Sequence, residues 1–99
     1  MSEVVLIGRK PASAYVVAVA VALHRADWVK LKARGRAIGK AVNVAEVAKR
    51  TLRARVGEIK IGTEALTTEE RTRYVSFIEI SLAGIPTRKL NISSVTDRF

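Results

Sequence analysis

Cysteine is absent from this 99-residue sequence, and aromatic, histidine and acidic residues are scarce. Without cysteine the chain has no disulfide framework, thiolate metal site or cysteine nucleophile. The single histidine, His24, ends an apolar segment, where we expect a capping or half-buried role rather than catalysis. The nine acids are scattered and lack the spacing of metal ligands. The sequence therefore predicts no catalytic residue, no metal and no cofactor, and no enzymatic activity.

Long apolar runs are missing as well. The longest, from Ala12 to Leu23, is about eight residues short of a membrane span. The first residues do not form a signal-peptide pattern, because Glu3 precedes any apolar run. We therefore expect no membrane association and a cytoplasmic location.

Positive charge is what the sequence has in excess. Eighteen Lys and Arg oppose nine Asp and Glu, which gives a formal net charge of +9 and a pI near 10.7. Residues 1–40 alone carry eight of the bases and only two of the acids. Such a concentration of charge favours polyanionic partners, above all DNA and RNA.

The apolar patterning predicts one α/β domain with the element order β-α-β-α-β-β. Strands are expected over residues 4–7, 28–34, 56–61 and 74–82, and helices over residues 12–25 and 37–52. Within 28–34 the apolar Val29, Leu31 and Ala33 alternate with Trp28 and three bases, which predicts a half-buried strand with a basic outer face. The first helix is apolar nearly all round, so we expect it to be buried on more than one side. Residues 62–73 are long for a hairpin loop and predict a projecting arm. The domain should cover residues 1–83, followed by a polar, basic tail over 84–99 with no assigned role.

The second predicted helix has apolar residues over a wide arc. One stripe should face the core and consists of Ile38, Ala41, Val42, Ala45, Ala48 and Leu52. Val44 and Val47 form a second patch beside that stripe. Because one sheet covers only one face of a helix, the second patch predicts a homodimer interface.

The segment Gly35 to Ala41 lies between a strand and a helix and has some features of a phosphate-binding loop. A nucleotide-hydrolase P-loop needs four residues between its glycines and a Ser or Thr after the lysine. Here three residues separate Gly35 from Gly39, and Ala41 follows Lys40, so nucleotide hydrolysis is not expected. What remains is a helix N-terminus with free backbone N–H groups, which attracts phosphate.

A second basic loop, Gly8 to Pro11, also joins a strand to a helix. If the first two strands are parallel neighbours, both loops leave the same edge of the sheet. The two clusters together, with Lys30 and Lys32 nearby, favour a phosphate-binding surface over merely solvated loop charges.

Three segments resemble the Alba family of archaeal chromatin proteins: VVLIGRKP over 4–11, KARGRAIGKAV over 32–42, and VSFIEI over 75–80. The resemblance implies a two-layer sandwich like the C-terminal domain of translation initiation factor three, with a projecting β-hairpin arm. It also implies a homodimer that binds double-stranded DNA without sequence preference, compacts chromatin in the nucleoid, lines up along the duplex, and often binds RNA.

The resemblance further implies which residues touch nucleic acid. The family's basic pair, its two arginines around a glycine and its hairpin bases correspond here to Arg9, Lys10, Arg34, Arg36, Arg71 and Arg73. From the residues themselves we add four neighbours as candidates: Lys32, Gly35, Lys40 and Asn43.

The sequence departs from the family pattern in two informative places. Arg9 and Lys10 stand where relatives often carry two lysines, which leaves Lys10 as a possible modification site. Leu52 replaces a frequent aromatic, so contacts between dimers are expected to differ, and we count Leu52 with Val44 and Val47 in the dimer interface.

An alternative to chromatin packaging is an RNA-binding role in RNA processing or protection. With only five aromatics no single-strand stacking platform is evident, so sequence-specific reading of RNA is not expected.

Overall fold

The computed structural model describes residues 2–84, and the predicted tail lies outside them except for Gly84. Its elements are β1 (Ser2–Leu6), α1 (Ala12–Arg25), β2 (Trp28–Arg34), a 3-10 turn (Gly35–Ala37), α2 (Ile38–Thr51), β3 (Arg55–Thr67) and β4 (Thr72–Ala83). The predicted β-α-β-α-β-β order is confirmed. β3 and β4 are longer than expected, since most of the segment predicted as a loop is paired.

The four strands form one sheet in the order β1-β2-β4-β3. β1 and β2 pair in parallel, as predicted, with Leu6 opposite Lys32. β4 lies antiparallel between β2 and β3. Because β1 and β2 run in the same direction, the loops that follow them leave the sheet at one edge.

The core lies between one face of the sheet and the two helices. β2 alternates as the sequence predicts, with Val29, Leu31 and Ala33 buried and Trp28 exposed at its start. β4 adds buried apolar side chains to the same face. The opposite face of the sheet carries Trp28, Lys30, Lys32 and Arg34, and no helix of the described residues covers it. We call it the open face.

α1 packs one stripe against the sheet and α2, with Tyr15, Val19 and Ala22 buried. The prediction that α1 is buried on more than one side is wrong for the protomer. Its outer face is exposed, including Val17 at 62% and Val21 at 48%. In the described part of the chain, the two helices lie on one side of a four-stranded sheet, and no third layer covers this face.

In α2 the assignment of two valines is reversed. Val44, predicted at a subunit interface, is fully buried in the protomer's own core, whereas Val42, predicted in the core, is 42% exposed. Val47 and Leu52 are half-buried, and Leu52 packs against the core. The apolar arc of α2 is so wide that periodicity alone does not fix which edge faces inward.

β3 and β4 continue past the rest of the sheet as a two-stranded arm. The last pair between β2 and β4 joins Arg34 to Phe77, while the β3–β4 pairs run on to Thr67 opposite Thr72. The turn is closed by a hydrogen bond that the Thr68 backbone N–H donates to the Arg71 carbonyl at 2.9 Å. The projecting arm expected from the sequence is therefore present.

Candidate nucleic-acid interface

Two basic loops meet at one edge of the sheet. They border a concave surface of about 550 Å³ between the end of β1 and the start of α2. Five basic side chains line this surface: Arg9, Lys32, Arg34, Arg36 and Lys40. We refer to it as the basic cleft. Its shape and charge suit an extended polyanion better than a small apolar ligand, which would need an apolar lining.

The turn into α2 is set by Gly35. Arg34 is extended, and Gly35 then adopts a positive φ of 52°, a conformation that glycine reaches without the steric cost of a side chain. The chain reverses direction here, so that Arg34 and Arg36 both border the basic cleft. The first turn of α2 contains no acidic residue, and its backbone N–H groups add to the positive potential.

The backbone of the β1–α1 loop is fixed by hydrogen bonds to the side chains of Tyr15 and Lys40. The Tyr15 hydroxyl accepts hydrogen bonds from the backbone N–H groups of Gly8 at 2.8 Å and Lys10 at 3.2 Å. The Lys40 ammonium donates to the carbonyls of the same two residues at 2.8 and 2.7 Å. It also lies 5.9 Å from the centre of the Tyr15 ring. Two of the three N–H donors of the Lys40 ammonium are thus hydrogen-bonded to the loop. Lys40 therefore positions the loop and also contributes positive charge to the cleft.

Two other bases of the cleft, Lys32 and Arg34, are paired with acids on the open face. Glu64 accepts from the Lys32 ammonium at 2.7 Å and from Arg34 Nε at 2.6 Å. Glu79 lies 3.5 Å from both Lys30 and Lys32. The result is a ladder of alternating charge across β2, β4 and the base of the arm. We call it the charge ladder.

The charge ladder changes the titration of two of its members. Hydrogen bonds from Lys32 and then Arg34 lower the pKa of the Glu64 carboxyl. The hydrogen bond to Glu64 in turn raises the pKa of Lys32 against a smaller opposing effect of desolvation. Both groups are therefore charged at neutral pH. A polyanion has to compete with the Glu64 carboxylate for contacts with Lys32 and Arg34.

The remaining candidates lie outside the cleft. Lys10 is exposed at its rim, with its backbone fixed by Tyr15 and Lys40. Asn43 is exposed further along α2, and Arg71 and Arg73 are exposed at the end of the arm. His24 is exposed in the last turn of α1 and is neither buried nor near the cleft.

Sequence reasoning missed Tyr15, Glu64 and Glu79. The sequence pattern predicts only that Tyr15 is a core aromatic of an apolar helix. Nothing in its spacing reveals that its hydroxyl reaches the preceding loop. Glu64 is 30 and 32 residues from its partners, so only the sheet register shows the contact. Glu79 alternates with Ile78 and Ile80 along β4, but this alternation does not reveal its contacts with Lys30 and Lys32.

Across residues 2–84, no three acidic or histidine side chains come together in a way that could hold a metal ion. In the same region, neither helix has the length and apolar character needed to cross a membrane.

The structure defines a class of small α/β domain with a bare sheet face, two basic strand-to-helix loops at one edge, and a long β-hairpin arm. The Alba family profile matches residues 3–68. The DNA/RNA-binding protein Alba of Nitrosopumilus maritimus is 45% identical over 81% of this chain and 88% of its own length. DNA/RNA-binding protein Alba 1 of Archaeoglobus fulgidus is 45% identical over 80% of this chain and 92% of its own.

Solved structures agree with the sequence comparison. Alba from Thermoplasma volcanium superposes with a TM-score of 0.74 at 38% identity, covering 81% of this chain and 98% of its own. ALBA1 from Trypanosoma brucei shares the fold, with a TM-score of 0.71 at 22% identity, covering 96% of this chain and 77% of its own. The chain belongs to the Alba family.

Proposed function

We propose that this protein binds double-stranded DNA through its phosphate backbone, without sequence preference, and compacts chromosomal DNA as a homodimer. The observation that carries the proposal is the basic cleft, where two loops from parallel strands present cationic side chains at one edge of the sheet. The printed names of its relatives, DNA/RNA-binding protein Alba, support the same class of ligand. We assign the protein no catalytic activity, and we place it on the chromosome.

Phosphate contact without base readout follows from the kinds of side chain at the cleft. Arginine, lysine and the α2 N-terminus all favour phosphate oxygens, which are the same on every sequence. Asn43 is the one amide among the candidates, and it lies outside the cleft. Arg71 and Arg73 at the end of the arm are placed to reach a groove, and the minor groove distinguishes little beyond AT from GC. Acetylation of Lys10 would remove one positive charge from the rim of the cleft.

The homodimer is supported by a groove between α2 and β3. α2 covers β2 and β4 but leaves the inner face of β3 open, so that Val56 and Ile59 are exposed beside Val42. These three side chains, with Ala45, Ile78 and Ile80, line a mainly apolar groove of about 130 Å³, which Glu46 and Lys49 border. None of the three residues predicted at the interface lines this groove: Val44 is held inside the protomer, Leu52 packs against its core, and Val47 is half-buried elsewhere on α2. A second copy placed there would bring two basic clefts and two arms to one duplex, and successive dimers could then line up along it.

Duplex RNA is a second candidate ligand, favoured by the same cleft and by the names of the relatives. A-form RNA is engaged largely through shape and phosphates, which this surface offers equally. A protein acting in RNA processing or protection would bind duplex RNA more tightly than duplex DNA at fixed salt. Competition between the two duplexes at one salt concentration decides between these roles.

The proposal is tested by measuring affinity for several unrelated duplexes over a range of salt concentrations. If a dimer neutralises about six phosphates, log K should fall with log salt at a slope near −5. Arg36→Ala should weaken binding by a similar factor on every duplex. The same variant should make the salt slope shallower by about one unit for each phosphate that it no longer neutralises.

Arg50→Ala is the matched control, because it removes the same charge from the exposed end of α2. It should leave both affinity and slope near those of the wild type. A flat salt dependence would rule out phosphate contact as the main source of affinity. A large reduction in affinity for one duplex with none for another would instead reveal base readout.

A further inference from the structure

The open face of the sheet carries an exposed indole at the end remote from the basic cleft. Trp28 is the only tryptophan in the sequence and remains 42% exposed. It begins β2, whereas the loops of the cleft follow the ends of β1 and β2. At about 3.3 Å per residue, the seven-residue strand separates Trp28 from Arg34 by about 20 Å. The indole is therefore a feature separate from the cleft.

The backbone beneath the indole is shaped to receive it. β3 has a bulge between Val56 and Ile59, and Gly57 lies within it. A Cβ added at Gly57 would come within 2.6 Å of Trp28 Cζ3 and 2.9 Å of Cη2. The six-membered ring therefore rests on a surface that only glycine leaves free. Two atoms of the six-membered ring thus contact β3 at Gly57, while 42% of the residue stays exposed.

The surroundings of Trp28 are apolar and cationic. On the neighbouring edge strand, Val4 is 57% exposed on the same face, whereas Leu6 lies further along, opposite Lys32, and lines the basic cleft. Lys30 lies opposite Val4, and its side chain keeps 44% exposure with a loose 3.5 Å contact to Glu79. Arg55 is exposed in the same cross-strand row as Trp28, through their shared neighbour Ala83. An exposed ring with one aliphatic side chain and two cations nearby matches a nucleobase with its phosphate.

We propose that the open face around Trp28 is a second nucleic-acid site, which takes single-stranded DNA or RNA by stacking an unpaired base on the indole. Lys30 and Arg55 would neutralise the phosphates on either side of that base. Base–aromatic stacking does not depend on sequence, because every base has a π-face. A duplex offers no free face except at its ends, so the ligand of this site differs from that of the cleft. The site goes beyond the proposed function and does not depend on it.

The single tryptophan gives a direct test on the wild-type protein. Titration with a thymidine or a uridine oligonucleotide should quench Trp28 fluorescence, because a stacked base contacts the ring. A duplex of the same length should bind and leave the fluorescence nearly unchanged. Comparison of the thymidine and uridine arms shows which strand the site prefers.

Substitution supplies the second arm of the test. Trp28→Leu keeps an apolar cover over Gly57 and should lower single-strand affinity by a factor between about 5 and about 150. Its duplex affinity and circular dichroism should match the wild type, which also shows that the variant folds. Tyr74→Leu is the matched control, because it removes an aromatic ring that is 74% exposed on the arm, and it should keep single-strand affinity.

Three results would overturn the proposal. The first is an absence of quenching at saturating single strand, or equal quenching by the duplex. The second is an equal reduction of single-strand affinity in Trp28→Leu and Tyr74→Leu. The third is a tryptophan spectrum that shifts with protein concentration in the absence of nucleic acid, which would make the surface an interface between copies. None of these results depends on whether the cleft binds duplex, which the duplex titration reports separately.

Discussion

Tyr15 links the core to the ligand-binding edge through a single oxygen atom. Its ring is buried among the helices, and its hydroxyl accepts the two loop N–H groups of Gly8 and Lys10. Those groups would otherwise depend on solvent, and the loop between β1 and α1 would lose its fixed shape. Lys40 completes the arrangement by donating hydrogen bonds to the carbonyls of the same residues. The orientation of Arg9 and Lys10 is therefore set by residues that need not touch the ligand.

We expect Tyr15→Phe to weaken both folding and duplex binding. A typical hydrogen bond contributes about 1 kcal/mol net, so removal of two should lower the free energy of unfolding by about 1–2 kcal/mol. Duplex affinity should fall several-fold, because the loop then has to be ordered on binding. Denaturant unfolding and duplex titration measure the two effects.

Tyr74→Phe is the control for this change. It removes an exposed hydroxyl that makes no hydrogen bond within residues 2–84, and it should behave as wild type. A Tyr15→Phe protein that is less stable but binds duplex with unchanged affinity would show that the hydroxyl stabilises the core without positioning the loop.

Among the strands, hydrogen bonds to Glu64 connect the arm to the body of the sheet. It lies on β3 beyond the end of the β2–β4 pairing, yet it reaches back to Lys32 and Arg34 on β2. Because these hydrogen bonds lower the pKa of Glu64, its ionised form stabilises the folded state. That contribution is complete above the ordinary carboxyl pKa and is lost as pH falls through the lowered folded value.

Glu64→Gln should therefore be less stable than wild type at neutral pH, and the difference should shrink as the pH falls through the carboxyl range. The same variant should bind duplex a few-fold more tightly at neutral pH, because Lys32 and Arg34 no longer have to leave a carboxylate. Unfolding curves at several pH values and duplex titrations test both statements. Glu69→Gln, which removes an exposed carboxylate from the hairpin turn, should show no such pH-dependent difference in stability. Equal pH profiles for the two variants would contradict the role given to Glu64.

The elements differ in how far their burial and pairing could be predicted from the sequence. Strict alternation in β2 identified both its buried and its open face, because a period of two leaves no ambiguity. The pattern of α2 indicated its position but not its orientation, since apolar side chains border its stripe on both sides and Val42 and Val44 exchanged roles. The charge ladder was hidden for a different reason. Its partners come together only through strand pairing, and no local pattern connects Glu64 with Arg34.

For the whole molecule, assembly can be separated from folding by the choice of residue. Ile59 is 55% exposed in the α2–β3 groove, so Ile59→Asp should leave the protomer folded and prevent dimer formation. Duplex affinity should fall with it, because a monomer presents one cleft instead of two. Val44→Asp would not make this distinction, since it places a charge inside the core.

Val17→Asp is the matched control for assembly. Val17 is similarly exposed, but it lies on α1 outside the groove. Sedimentation should find the wild type and Val17→Asp as dimers at micromolar concentration and Ile59→Asp as a monomer. Wild-type monomers, or a dimer disrupted only in Val17→Asp, would place the interface elsewhere.

Within residues 2–84, the order β1-β2-β4-β3 leaves the thirteen residues of β3 as an outer strand with one side unpaired with another strand. Such a strand can recruit identical strands from other molecules and start aggregation. Two features of β3 oppose this outcome. The bulge at Gly57 breaks the regular spacing of its backbone groups, and charged Glu58 and Lys60 follow directly. The bulge that receives the indole thus also helps to keep β3 from pairing with other copies of the protein.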